Sequence, residues 1–369
     1  MGEEVKYKME QTLTIKLKLY KPTLAKQKMY QEMADRCTAF ANRYLQLDPK
    51  NRPKTSKQAQ QYSDKLPSAV LNQAIKDIKA NKNAKRFKRL WPNFNNQNFR
   101  VEKEASQNGG AVWKVSFPTL EKRVGVPIEV SAYQEKYLEM LLSGQAKQGA
   151  ARLVRRGRNW FIHLSLTVPA AEEKSRTGKI MGIDLGQIDL LVATVAGQTL
   201  FFSGAPLAYI RRRFAKLRHS LQKAGAHRAL KRLGDREHHW ATDVNHKISR
   251  AVVEFARSQG VSLIRMEDLT GVRWATRQRK VQKRDHGRNL DYWPYYQLQQ
   301  FIKYKAALAR IQVEPVNRNN TSLTCSRCGE IVKSRPRGRW FKCPRCKRTM
   351  HVDANAASNI AQAISGLAA

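Results

Sequence analysis

The sequence predicts a multidomain α/β protein in two halves. A β-rich half, broken by a helical insert, precedes a mixed-sheet α/β half that carries a cysteine knuckle. Three observations predict this. Alternating apolar strands at residues 12–20 and 92–169 flank a helical pattern over residues 22–90. From Lys179 the elements follow as three strands, helix, strand, helix, strand. Near the C-terminus, Cys325-Ser-Arg-Cys328 and Cys343-Pro-Arg-Cys346 form two CxxC pairs.

The 369 residues suffice for two or three domains, each with its own core. The formal net charge is +40, from 69 Lys and Arg against 29 Asp and Glu, which is more than solubility needs. A charge of that size implies a polyanionic partner, and nucleic acid is the expected one. No run of about 18 apolar residues occurs and the start does not resemble a signal peptide, so no membrane role is expected. Four of the five cysteines lie in the CxxC pairs. In a reducing, cytoplasmic setting these are metal ligands rather than disulfides. Cys37 stands alone on a helical pattern as a small core residue.

In the first half, Leu13, Ile15, Leu17 and Leu19 alternate with Thr14, Lys16 and Lys18. That is a half-buried strand with a basic outer face. Pro22-Thr23 opens a helix to about Leu47, with Met29, Met33, Cys37, Phe40 and Tyr44 on its core stripe. The helical pattern continues from Ser56 to Leu90. There Val70, Ala74 and Ile78 form a stripe, and Lys76, Lys79, Lys82, Lys85, Arg86, Lys88 and Arg89 crowd the remainder. This basic surface is a candidate phosphate contact. Phe94–Val101 and Gly110–Phe117 make a hairpin through an Asn-Gly turn, and two further strands flank Arg156-Gly157-Arg158. The strand near Thr12 needs partners, and pairing with these later strands would build a β-barrel interrupted by the helical insert.

In the second half, the predicted strands are Lys179–Leu185, Leu190–Ala196 and Thr199–Ser203, with a turn at Gly197-Gln198. Residues 211–236 hold ten Lys and Arg, including Arg211 and Arg212, against one acid, Asp235. A helix over about His238–Ser258 follows, then the strand Ser262–Glu267, a basic loop from Arg273 through Arg277 to Arg288, a helix near 294–310 and a strand near 313–316. This is the element order of the ribonuclease-H-like fold. It sets the first and fourth strands side by side in mid-sheet, so Asp184 and Glu267 can converge. Asp353 opens an alanine-rich helix, where Ala354, Ala356 and Ala357 allow close packing on the sheet. Three acids at the ends of three regular elements suit a hydrolytic metal site. Asp268 faces the opposite way from Glu267 along the strand. Asp189 and Asp291 are expected to be surface or cap residues.

The spacing CxxC-x14-CxxC puts four thiolates on one tetrahedral Zn²⁺ with no open position, so that zinc is structural. His351 is then surplus as a ligand. The ribbon around the knuckles is basic through Lys333, Arg335, Arg337, Arg339, Lys342, Arg345, Lys347 and Arg348, and holds Trp340 and Phe341. That combination suits nucleic-acid contact. Trp340 is expected in the ribbon's small core.

The Gly-Ile-Asp-Leu-Gly strand at 182–186, Glu267-Asp-Leu, Thr321-Ser-Leu-Thr-Cys325 and Asp353-Ala-Asn-Ala-Ala-Ser-Asn-Ile360 occur in the order of a known family. The chain resembles TnpB, the RNA-guided DNA endonuclease of insertion-sequence transposons, and is similar to the smallest type V CRISPR effectors. Leu323 stands where that family often has Gln, and His351-Val352 where a basic residue is common. The resemblance implies wedge β-barrel segments at 1–20 and 92–172 around a recognition domain at 21–91. It further implies a RuvC-like nuclease domain at 173–320 and 350–369, with the zinc ribbon, 321–349, inserted. It assigns Asp184, Glu267 and Asp353 as catalytic ligands of two Mg²⁺, and Cys325, Cys328, Cys343 and Cys346 as ligands of one Zn²⁺. The implied partners are a guide RNA from the transposon end and target double-stranded DNA with its unwound strands, one protein monomer per guide. The implied setting is the cytoplasm of a prokaryotic cell, at the nucleoid. Two other functions share this fold: a transposase acting by strand transfer, and a guide-directed repressor that no longer cuts. A separate helix-turn-helix, expected of the former, is not evident, and the lost acid expected of the latter is not seen.

Overall fold

A computed structural model describes residues 10–105, 111–169, 178–186, 188–267, 293–316, 320–334 and 338–363. The chain divides into two compact units at Pro169 and Ala170.

In the first unit β1 (Glu10–Leu19) leads into α1 (Leu24–Gln46), which Thr23 caps at its N-terminus. Two further helices follow, α2 (Ser56–Ala59) and α3 (Ser68–Ala80). Then come β2 (Asn93–Phe94), β3 (Arg100–Ala105), β4 (Ala111–Pro118), β5 (Arg123–Glu129), α4 (Ala132–Leu142), β6 (Lys147–Arg156) and β7 (Asn159–Pro169). The strands form one antiparallel sheet in the order β2-β6-β7-β1-β5-β4-β3. As its alternation predicts, β1 finds its partners far along the chain: Leu17 pairs with Ile162, and Leu19 with Ile128.

Two expectations are corrected. The helical pattern of residues 56–90 stops at Ala80. Side chains of α1 instead hold residues 87–90 outside any helix: Asn42 exchanges hydrogen bonds with the Phe87 N–H (2.8 Å) and C=O (3.0 Å), and the Leu90 N–H donates to Thr38 Oγ1 at 3.1 Å. In this arrangement Arg89 pairs with Asp35 of α1. The second correction is that Phe94–Val101 is two strands, not one. The Asn98 N–H donates to both Asn95 Oδ1 at 3.0 Å and the Asn95 carbonyl at 3.2 Å, a side-chain-supported turn between the two strands.

The second unit is built on the sheet β10-β9-β8-β11-β12. Its strands are β8 (Lys179–Asp184), β9 (Asp189–Val195), β10 (Gln198–Ser203), β11 (Val261–Glu267) and β12 (Gln312–Val316). The first and fourth predicted strands, β8 and β11, are parallel neighbours at its middle. Between β10 and β11 run α5 (Ala205–Lys223), α6 (His227–Leu233) and α7 (Arg236–Ser258). After β11, α8 (Tyr295–Leu308) leads into β12. A small ribbon pairs β13 (Trp340–Lys342) with β14 (Thr349–His351), and α9 (Val352–Gln362) follows directly. Among the described residues no helix is long and apolar enough to cross a membrane.

Alternation sorts the two faces of this sheet. Met181 and Ile183 on β8, with Ile264 and Met266 on β11, pack into one core with Ile248 and Val252 of α7 and Leu298 and Ile302 of α8. Gly182 and Asp184 therefore look to the other face, as do Arg265 and Glu267. That face belongs to α9. A Cβ built on Gly182 would lie 1.9 Å from the Ala357 carbonyl oxygen, so α9 rests backbone-to-backbone on β8. Ala354 and Ala357 fill the contact with Val192. Any side chain at 182 must push α9 away. Gly182→Ala is expected to cost about 3 kcal/mol or more in urea unfolding of the purified chain. An unchanged unfolding midpoint would mean that α9 yields without loss.

Candidate metal centre and nucleic-acid surface

Asp184 and Glu267 end β8 and β11 one residue beyond the paired positions Ile183 and Met266. They close the same face of the two central strands. Asp353 sits in the first turn of α9, the helix pressed onto that face. Asp184 and Asp353 are each 8% exposed, and a carboxylate so withdrawn from water needs positive charge or hydrogen-bond donors nearby. Two side chains of α8, one turn apart, bond to the backbone at these strand ends. Tyr295 Oη donates to the Gly186 carbonyl at 2.6 Å, and Gln299 Nε2 to the Glu267 carbonyl at 2.7 Å. On the Glu267 carboxylate itself, Oε1 accepts from Thr321 Oγ1 at 3.0 Å. Carboxylate oxygens are hard donors of the kind Mg²⁺ takes. Of these three acids, Asp353 is the one that lies, among the described residues, in a group of ligand atoms within 4.8 Å of one another, together with Asp189 and His351. Asp268 and Asp291, the other acids weighed from sequence, lie outside the described residues.

Asp189 is not the surface or cap residue that its position suggested. It is 3% exposed at the start of β9. Arg339 Nη2 donates to Asp189 Oδ2 at 2.6 Å, and His351 Nε2 lies 3.4 Å from the same oxygen. The Asp353 N–H donates to His351 Nδ1 at 3.3 Å, and Arg339 Nε donates to His351 Nε2 at 3.2 Å, so Arg339 bridges Asp189 and His351. One ligand-capable atom from each of Asp189, His351 and Asp353 lies within 4.8 Å of the others. Sequence reasoning missed this because Arg339 is 150 residues away. The available signal was an acid opening a strand that is buried at every position.

The four cysteines come together as expected. Cys325 and Cys346 Sγ are 3.7 Å apart, and Cys328 and Cys343 Sγ 3.6 Å. A disulfide would need about 2.05 Å. Zinc–sulfur bonds of about 2.3 Å in a tetrahedron put sulfurs about 3.8 Å apart, so the cluster fits Zn²⁺. The two knuckles turn alike. The Gly329 N–H bonds to the Cys325 carbonyl and the Lys347 N–H to the Cys343 carbonyl, at 2.9 and 3.1 Å. Both turn residues have positive φ, 74° and 59°. The aromatic expectation is reversed here: Trp340 is 61% exposed, and Phe341, at 1%, packs against Cys325, Cys343 and Val352. Neighbouring strand residues face opposite ways, so only one could enter the small core.

Of the basic residues singled out from sequence, Lys76 and Lys79 are exposed on α3, Arg86 is exposed beyond its end, and Arg212 is exposed on α5. Arg211 instead joins α5 to α7: its Nε donates to Glu237 Oε1 at 3.0 Å, and Arg218 pairs with the other oxygen. Arg273, Arg277 and Arg337 lie outside the described residues. A further basic surface, missed in the sequence, crosses three strands of the first unit. His163 on β7 stands opposite Lys16 on β1 and Arg152 on β6. Burial, then Lys16, Arg156 and Arg152, push its imidazole down from 6.5 to about 4.

The second unit thus defines a class: a ribonuclease-H-like α/β module with acids at its central strand ends and a four-cysteine knuckle feeding its last helix. The sequence profile of the Cas12f1-like TNB domain matches residues 295–360, from α8 through the knuckle to α9. A CRISPR-associated endodeoxyribonuclease Cas12f1 of Sulfoacidibacillus thermotolerans is 30% identical over 264 residues, 66% of this chain and 60% of that protein. A TnpB-like protein of Methanocaldococcus jannaschii is 28% identical over 253 residues, 65% of this chain and 86% of that one. The chain is thus similar to Cas12f1 and TnpB-like proteins over about two thirds of its length. It spans 60%, 44% and 39% of the length of three Cas12f1 relatives. Among solved structures, Cas12f1 in a complex with single-guide RNA and target DNA shares the fold, with a TM-score of 0.67 at 16% identity over 92% of this chain and 83% of that chain.

The depressed His163 has a sign that can be tested. Between pH 6.5 and about 4 the unfolded chain takes up a proton that the folded chain refuses. Stability from the neutral ring is therefore present above 6.5 and lost as pH falls through about 4. His163→Gln is expected to flatten that acid loss in urea unfolding measured at steps from neutral pH downward. An identical pH dependence in both proteins would mean that burial and the neighbouring cations leave His163 unperturbed.

Proposed function

We propose that the chain is an RNA-guided DNA endonuclease that hydrolyses phosphodiester bonds at Asp184, Glu267 and Asp353. The observation that carries this reading is the shared face: Asp184 and Glu267 end adjacent parallel strands on the side where α9 brings Asp353. In this reading the three carboxylates would hold two Mg²⁺. Ions bound there supply an activated water and stabilise the leaving oxygen. The protein's own part is to hold the ligands still. Tyr295 and Gln299 fix the backbone behind Asp184 and Glu267, and His351 caps the helix that carries Asp353. The four cysteines would hold one structural Zn²⁺ that leaves no position for substrate.

The partners follow from charge and kinship. A net charge of +40 suits a long polyanion rather than a short duplex. The relatives' names specify CRISPR-associated endodeoxyribonucleases, and the solved relative holds a guide RNA and target DNA. We infer the same partners here, with a guide transcribed from a transposon end and base pairing reading the target. The first unit would form the wedge, a β-barrel closed from its seven-stranded sheet, with the recognition helices inserted between β1 and β2.

Sequencing the RNA that copurifies with the chain tests the partner. A single structured species with a variable end supports a guide. A smear of cellular RNA removes it. With guide and target in hand, Asp184→Ala is expected to cut cleavage by about three orders of magnitude and leave guided binding intact. Loss of both would make Asp184 structural, and joined rather than cut ends would favour strand transfer. Metal analysis is expected to find one zinc per chain, retained in Asp353→Ala and lost in Cys343→Ser. Zinc-free protein with an intact fold would overturn the knuckle assignment.

A further inference from the structure

Thr321 opens the loop that leads into the cysteine knuckle. Its side chain is buried, and Oγ1 donates to Glu267 Oε1 at 3.0 Å, across 54 residues of sequence. The loop is gripped from behind by α9. Asn359 Nδ2 donates to the carbonyls of Thr321 (2.8 Å) and Thr324 (2.6 Å). One turn earlier, Asn355 Nδ2 donates to the Thr324 carbonyl at 2.7 Å, and its Oδ1 accepts from the Ser326 N–H at 2.9 Å. Cys325 lies between the residues so held. Asn355 is fully buried, so both ends of its amide are committed to this loop.

These contacts form one chain of bonds. It starts at the helix that carries Asp353, passes through the backbone around Cys325, and ends on one oxygen of the Glu267 carboxylate. A glutamate at a strand end has three side-chain torsions, and freezing them costs entropy each time a cation binds. A hydroxyl donated to Oε1 fixes the plane of the carboxylate in advance and holds one of its two oxygens. Outer partners of this kind set ligand orientation in metal sites.

We propose that Thr321 is a positioning residue for Glu267, tied through Asn355 and Asn359 to the cysteine knuckle, so that a folded knuckle aims this acid. The proposal rests on Glu267 being a metal ligand. Mn²⁺ is the probe, titrated into the full chain and followed by electron paramagnetic resonance, beside zinc content, RNA binding and cleavage. Thr321→Val keeps the shape and removes the donor. It is expected to weaken Mn²⁺ binding by about 10-fold, with zinc and RNA binding unchanged and cleavage recovered at high Mn²⁺. Thr321→Ser, which keeps the hydroxyl, is expected to restore affinity. Glu267→Gln separates the two levels. If it leaves Mn²⁺ binding unchanged, Glu267 is not a ligand and the underlying reading falls. If it weakens Mn²⁺ while Thr321→Val does not, the positioning role alone is overturned. Loss of zinc in Thr321→Val, or no rescue by serine, would also overturn it by making Thr321 a packing residue.

Discussion

The second unit depends on the approach of α9 to β8 at Gly182. Because the Ala357 carbonyl occupies the space a Cβ would take, the helix can come this close only where the strand carries a glycine. Its register on the strand is thereby set, and with it the place of Asp353 relative to Asp184. Arg265, on the same face of β11, then reaches the far end of the helix. Its Nη1 donates to the Ala361 carbonyl at 2.9 Å, where unsatisfied carbonyls favour a cation. The small side chains at 354, 356 and 357 press one side of α9 on the sheet, while Asn355 and Asn359 reach to the loop before the knuckle. One close contact therefore orients two attachments.

The electrostatics show a division of labour within a very basic chain. Acids withdrawn from solvent take cations as structural partners: half-buried Glu237 holds both Arg211 and Arg218 between α5 and α7, and buried Asp189 holds Arg339. Those guanidinium groups are spent on the fold. Around His163 on β7 stand Lys16, Arg156 and Arg152, and its ring resists protonation first because it is half-buried and then because of these cations, of which Arg152 also pairs with Asp77 at 3.0 Å. The part of this effect that comes from Lys16, Arg156 and Arg152 is positive potential of the kind that favours phosphate. Sequence counting cannot separate these two populations of Arg and Lys, because whether a cation is spent depends on which acid folding brings to it.

What was legible in the sequence had a local signature. The CxxC pairs, the alternation in β1 and the apolar strands ending in Asp184 and Glu267 each carry their meaning within a few residues. Even the pairing of β1 with later strands followed from its lack of a near partner. What was not legible depended on distant atoms. Residues 81–90 have helical spacing and no helix, because Asn42 and Thr38 offer their backbone a better arrangement. Trp340 and Phe341 are equally apolar neighbours, and only the direction of β13 decides which enters the core. Asp189 looked like a cap until β13 and β14 brought Arg339 and His351 to it.

That last case bears on what a closed metal site can do. Four cysteines leave zinc no coordination position for substrate. Yet the hairpin the knuckle supports pairs Trp340 with His351, and the Val352 N–H donates to the Arg339 carbonyl at 2.9 Å. The two strands thus present Arg339 and His351 side by side to Asp189, one residue before α9 begins. His351 then turns its other nitrogen to the Asp353 N–H. A knuckle that only shapes its own loops therefore sets the charge next to Asp353 and the direction in which its helix starts. The strand-end acids and the cysteine knuckle are thus linked through the same few residues, 339 and 351–353.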